Sequence, residues 1–347
     1  MDNGMHEKLL GSEGKEVGDF KGRVYDESKK IWRVALPGII ARVASFGTII
    51  VTQSFIGHIS SVDLAGYALV QTLTVRFANG VLWFLLNLDI SWEVGALEAW
   101  TGFSTAAFKD LLPVIKLSIS SGIMVCLELW YNSILVLLAG YMSNAEVAIS
   151  AFSICLNING WEFMICLGFL GAACVRIANE LGRGDAKATK FSINVLITTS
   201  VVIGVFFTIL CLVFGHNIGY LFTNDVEVAS TVSDLSLLLA ISVLLNSIYP
   251  VLSGVAVGAG MQGTVAIINL CCFYLIGIPI GALLGYVAHL EVSGIWIGMN
   301  LGILTQSLAL SYMAYKTDWD EQVKIAAERL QRWYLKSSEE PGNNGHA

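Results

Sequence analysis

The chain has 347 residues, a length that would fill about two domains in a soluble protein, yet 55% of them are hydrophobic and only 14% charged, against about 25% charge in an ordinary globular chain. Residues 1–31 and 316–347 hold 13 and 11 of the charges, so the long middle of the chain cannot fold in water without exposing large apolar faces. The net charge of −7 sits in these ends and in short connections, with no clustered basic surface of the kind that binds nucleic acid.

Taken in order, residues 1–31 are a polar tail without the short apolar core of a signal peptide. Stretches of about 20 apolar residues, enough to cross a bilayer as helix, follow at 32–57, 63–90, 113–139, 146–175, 192–214, 228–258, 263–288 and 292–315. The fold class is therefore all-α, a polytopic membrane protein of about eight transmembrane helices. Polar punctuation separates the spans, at Gly57-His58-Ile59-Ser60-Ser61, at Tyr141-Met142-Ser143-Asn144 and at Phe222-Thr223-Asn224-Asp225. Outside the spans, Lys and Arg fall in the two tails, at Lys109 and in the 176–191 connection, and are absent from 58–62, 140–145, 215–227 and 289–291. That asymmetry puts both termini in the cytosol. Residues 91–112, with Trp92, Glu93, Glu98 and Trp100, are too polar to span and read as an interfacial linker. Residues 317–335 read as an amphipathic helix capped by Thr317, lying on lipid or standing in solvent. Leu36-Pro37 and Leu112-Pro113 open similar helix pairs, a weak internal repeat of the sort transporters carry.

Ionisable groups at membrane depth are costly, about 2.5–3.5 kcal/mol each on insertion scales, and so point to function. At ~1.5 Å per residue, Glu128 in the third span and Glu162 in the fourth lie about 18 and 24 Å from the outer loop that joins them. Neighbouring antiparallel helices can present both carboxyls to one cavity, where each takes a proton from one side and releases it to the other. The alternative is a neutral carboxyl hydrogen-bonded between helices. Asn246 precedes Pro250 by four residues, so its carbonyl loses a helical donor and a polar kink is expected there. Asn157, Asn159 and Gln53 are either cavity groups or interhelical hydrogen bonds. Arg42 and Arg76, central in the first two spans, must pair, reach water or meet an anion. Gly277, Gly281 and Gly285 form one small-residue face, Gly294, Gly298 and Gly302 a second, and Gly254 and Gly258 a third, which predicts close helix packing. The seven cysteines lie inside apolar segments at no metal or haem spacing and read as buried free thiols. His58, His216 and His289 are expected in loops. No catalytic constellation, metal site or cofactor motif appears, so no enzyme is predicted.

Several strings resemble one family. Thr52-Gln53-Ser54-Phe55-Ile56-Gly57-His58, Cys126-Leu127-Glu128-Leu129-Trp130, Ser153-Ile154-Cys155-Leu156-Asn157, Arg176-Ile177-Ala178-Asn179-Glu180-Leu181-Gly182-Arg183-Gly184 and Leu252-Ser253-Gly254-Val255-Ala256-Val257-Gly258-Ala259-Gly260-Met261-Gln262 resemble, in order, plant multidrug and toxic compound extrusion (MATE) transporters of the DETOXIFICATION type. The resemblance covers 31–86 and 100–320. It implies two six-helix lobes around a cleft and proton-driven antiport of organic solutes such as flavonoids, alkaloids or xenobiotics, at the vacuolar or plasma membrane. It also divides the chain into a cytosolic tail (1–31), a partial N-lobe of two helices (32–90), the linker (91–112), a complete six-helix C-lobe (113–315) and a second cytosolic tail (316–347). Four N-lobe spans are missing from the pattern. By position, Glu128 matches the family's likely proton site, while Asn246 stands where many members carry an aspartate, an acid for which Glu162 can substitute. Because alternating access needs two lobes, a second reading is a truncated, non-transporting membrane protein, inert or assembled as a homo- or hetero-oligomer.

Overall fold

A computed structural model describes residues 20–71, 111–142 and 144–338. All regular structure among the described residues is helical: α1 (Phe20–Gly57), α2 (Ser61–Leu69), α3 (Leu111–Ala139), α4 (Ala145–Gly182), α5 (Ala186–Ile218), α6 (Val226–Asp234), α7 (Ser236–Asn246), α8 (Tyr249–Gly258), α9 (Gln262–Val287), α10 (Glu291–Lys316) and α11 (Trp319–Ser338). Six of these segments are long and apolar enough to cross a membrane, with α7 and α8 counted as one. They match the first and the third to seventh expected spans. The eighth expected span is the continuous α10, whose buried Asn300, Gln306 and Ser307 dilute its apolar character. The second expected span is described only to Gln71. The rest of that span, Arg76, residues 91–110 of the expected linker, the first 19 residues and the last nine lie outside the described residues, while Leu111 and Leu112, expected in that linker, open α3.

Three expected boundaries shift, each because polar groups find partners inside the protein. Helix α1 begins at Phe20 instead of residue 32, and α4 runs on to Gly182. The expected 176–191 loop shrinks to a turn in which Gly184 adopts φ +82° and Asp185 caps α5 by accepting from the Ala188 amide at 2.8 Å. The extensions are held by a buried charge cluster, in which Arg176 binds both Glu27 and Glu180 and the Ser192 hydroxyl donates to Glu27. At the other end of α5, His216 is helical and bonds Ser233 Oγ at 2.7 Å, so it does not lie in a loop. The cap of α11 is Asp318, which accepts from the amides of Asp320 and Glu321. Thr317, expected in that role, instead donates to the Met313 carbonyl at the end of α10. Trp319 is buried at 3% exposure in a cluster against which Val323 and Ala326 pack, so α11 docks by this face on protein and Trp319 is not turned to lipid.

Helix α4 is the axis of the bundle, packed against α1, α2, α5, α6 and α8. Its run Ala148–Leu156 is buried without interruption, as expected of a helix with protein on every side. Small residues permit the closest approaches. A Cβ at Gly254 or Gly258 would stand 2.4 or 2.6 Å from the Leu170 or Cys174 carbonyl oxygen of α4. The two longer glycine faces meet each other: Gly298 packs on Gly281, Gly294 on Gly285 and Gly302 on Gly277, joining α9 to α10. Helix α9 carries two wide-turn π stretches, Leu270–Gly277 and Leu283–Val287, on either side of Pro279, as a proline's missing amide favours. Of the seven cysteines, all free, five are buried, Cys174 is half-buried and Cys271 is exposed.

Candidate functional site

The predicted kink is present and builds the site. Helix α7 ends at Asn246 and α8 begins at Tyr249. Through Ser247 and Ile248 the backbone tightens, with the Ile248 amide bonding back only three residues, to the Leu245 carbonyl. Pro250 has no amide to offer the Asn246 carbonyl. The discontinuity turns both Asn246 and Tyr249 into one cavity of about 230 Å³.

Glu128 and Asn132 of α3, Asn159 of α4, Asn246 and Tyr249 supply the polar wall, and Phe46, Phe163 and Phe273 supply much of the apolar one. Glu128 Oε1 accepts from the Tyr249 hydroxyl at 2.7 Å. One turn on, the Asn132 amide donates to the Glu128 carbonyl at 3.2 Å. Asn246 Nδ2 donates to Asn159 Oδ1 at 2.9 Å, tying the break in α7–α8 to α4. The result is a half-polar chamber with one carboxyl group in its wall, suited to hold an organic molecule beside a group that can gain or lose a proton.

The structure does not bring the second carboxyl to that chamber. Asn159 and Phe163, one turn apart on α4, face the cavity, whereas Glu162 does not line it. Glu162 is 1% exposed, its Oε1 accepts from the Cys166 thiol at 2.7 Å, and its Oε2 has no hydrogen-bond partner among the described residues. Depth along a helix was readable from the sequence, but rotation about its axis was not. Gln53 and Asn157 are also set apart from the cavity. They bond each other, and Gln53 Nε2 donates to Ser153 Oγ at 3.0 Å, in the buried seam between α1 and α4. Arg42 is exposed on α1 and does not line the cavity. Tyr249 and Asn132 were not singled out from the sequence, although a tyrosine directly before the kinking proline was the available signal. A larger hollow of about 460 Å³ between α5, α10 and the start of α11 has Lys190 as its one charged lining residue and no carboxyl. Among the described residues, no group of three His, Cys, Asp or Glu side chains could hold a metal ion.

A MatE family profile matches residues 121–283. Protein DETOXIFICATION 24 of Arabidopsis thaliana is 41% identical over 458 aligned positions, covering 92% of each chain. Protein DETOXIFICATION 21 of the same plant is 37% identical over 465, covering 94% of each. Both alignments are longer than this 347-residue chain, so these relatives carry residues that have no counterpart here. Among solved structures, the crystal structure of the eukaryotic MATE transporter AtDTX14 superposes with a TM-score of 0.64 at 23% identity, covering 88% of this chain and 83% of that one, a likeness of fold.

Proposed function

Since the chain belongs to the MATE family, multipass membrane proteins that transport small organic solutes using ion gradients, we propose that it exchanges protons for organic solutes such as flavonoids, alkaloids or xenobiotics, with Glu128 binding the coupling proton. The observation that carries this reading is the position of Glu128, in the wall of a chamber that combines a carboxyl, three asparagine side chains and aromatic rings. A proton on Glu128 and a solute in the same small space affect each other directly, which is the requirement for exchange. Glu162 is a second coupling carboxyl behind the wall. Asn159 and Asn246 are solute contacts in it. Gln53, Asn157, Arg42 and, outside the described residues, Arg76 bear on the solute only through a rearranged cleft. The basic residues at the ends of the chain favour cytosolic termini at the vacuolar or plasma membrane.

A second reading is favoured by the residues of the relatives that have no counterpart here. On it, the chain is a non-transporting fragment of the two-lobe pattern, inert or assembled with another membrane subunit. Reconstitution of the full chain into proteoliposomes with an imposed pH gradient separates the two. Uptake of a fluorescent flavonoid that collapses with a protonophore, and is abolished in Glu128→Gln, is the result expected of antiport. No uptake by the chain alone overturns antiport by this chain and supports the second reading.

A further inference from the structure

Helices α5 and α10 both pack against α7 and α8, and the gap between them is the hollow of about 460 Å³, closed at one end by the start of α11. That volume falls within the ~300–1,000 Å³ of ordinary small-molecule sites. Buried Ile193 and Leu252 give it an apolar floor, while Lys190 and Asn194 of α5 and Ser311 of α10, all exposed, give it a polar rim. The Thr317 hydroxyl and the Trp319 indole, also in its wall, already donate to the Met313 and Ala314 carbonyls. Lys190 Nζ lies 3.9 Å from Asp320 Oδ2, with the two side chains 55% and 74% exposed. An exposed pair of that length is weak and exchanges readily.

The hollow lies where the bundle leaves the bilayer core. The spanning segment Ala186–Leu221 has 36 residues, about 54 Å of helix at ~1.5 Å per residue against a core of about 30 Å, and Lys190 is in its first two turns. Tyr312 and Tyr315, exposed in the last two turns of α10, stand where interfacial aromatics stand. Toward the middle of the membrane, Val202 of α5 and Leu304 and Leu308 of α10 are exposed and continue the apolar surface.

We propose that this hollow binds an anionic glycerophospholipid, with the lipid phosphate on Lys190 and the acyl chains lying along α5 and α10. Each part of that molecule finds its counterpart. The phosphate meets an ammonium, together with the amide of Asn194 and the hydroxyl of Ser311, at headgroup depth. Basic pockets between membrane helices recognise headgroups in this way. The acyl chains run from the apolar floor over Val202, Leu304 and Leu308, covering surface that a free phosphate ion leaves bare. A zwitterionic headgroup fits less well, because its own ammonium meets Lys190 and no lining carboxylate. Binding exchanges one partner of Lys190 for another, so Asp320 competes with the phosphate.

Trp319 in the wall reports an occupant, because brominated acyl chains quench a tryptophan they touch. The full chain is reconstituted in phosphatidylcholine vesicles containing graded fractions of brominated phosphatidylglycerol, and the difference between native protein and Trp319→Phe isolates the Trp319 signal. The expected result is quenching that saturates with phosphatidylglycerol and is absent with brominated phosphatidylcholine at matched fractions. Lys190→Gln is expected to weaken the apparent affinity about fivefold. Asp320→Asn, which removes the competitor, is expected to strengthen it about twofold or more. Both side chains are exposed, and thermal melting of each variant verifies folding. No quenching of Trp319, equal quenching by the two lipids, or an affinity unmoved by Lys190→Gln overturns the proposal. An affinity not raised by Asp320→Asn overturns the exchange of partners at Lys190. Relief of the quenching by millimolar glycerol 3-phosphate, a headgroup without chains, assigns the hollow to a soluble anion and overturns the lipid. The measurement needs no transport, so its outcome is independent of whether the chain exchanges protons for solutes.

Discussion

Arg176 clasps Glu27, 149 residues away in sequence, with Nε to Oε1 at 2.8 Å and Nη2 to Oε2 at 2.9 Å. The guanidinium also donates to Glu180 at 2.6 Å, and all three side chains are buried. The pairing joins α1 to α4, and Ser192 brings α5 into the same cluster. Such a fork is specific as well as strong, because a planar donor pair matches a planar acceptor pair. Breaking one partner leaves uncompensated buried charge, at a cost of about 3–5 kcal/mol. Arg176→Met is therefore expected to destabilise the protein by about that amount, read as a large fall in melting temperature in detergent. Glu27→Gln combined with Arg176→Met removes both charges of the fork and is expected to recover part of the loss. A single variant with an unchanged melt would show that the clasp does not hold α1.

The glycine contact between α9 and α10 gives a sharper steric test. A Cβ on Gly298 would stand 2.3 Å from the Gly281 Cα, too close for any side chain without moving backbone. Gly298→Ala is expected to cost about 1–3 kcal/mol, in the manner of an overpacked core. Gly47→Ala in α1, where nothing lies within 4 Å of the new atom, is the matched control and is expected to leave stability unchanged or slightly raised. Parallel melting curves check the pair, and equal melts would refute the zipper.

Asn246 and Asn159 are expected to couple energetically. Interhelical hydrogen bonds in membranes are worth on average about 0.6 kcal/mol, so a cycle of Asn246→Leu, Asn159→Leu and the double variant should give an interaction energy of about that size. Additive losses would mean that the 2.9 Å contact contributes nothing.

Trp319 is expected to govern the docking of α11. Its indole donates to the Ala314 carbonyl at 3.2 Å and is almost wholly buried. Trp319→Ala should free the helix and speed tryptic cleavage at Lys324 several-fold, with the protected bundle otherwise intact. Cleavage at the native rate would show that other contacts hold the helix.

Much of the fold was legible in the residues because burial in lipid imposes length and composition on each span. Pro250 and Asn246 marked the kink, the three glycine faces marked close packing, and Glu128 marked the chamber. What escaped depended on rotation or on distance along the chain. Glu162 lies one position from Phe163, yet only Phe163 faces the cavity, and depth arithmetic does not distinguish them. Glu27 and Arg176 looked like separate solvated charges at the ends of spans, because nothing local in either stretch announces the other. Thr317 and Asp318 are both competent caps, and the choice between them was settled by Thr317 finding the Met313 carbonyl.

The break at Ser247 and Ile248 also has a mechanical consequence. Above and below it the same span leans on different neighbours, with α7 packed chiefly against α5 and α8 against α4. A continuous rod would oblige those neighbours to move together. Two short levers sharing a joint do not, so a tilt of one half can reshape the chamber at the joint while the other half stays seated.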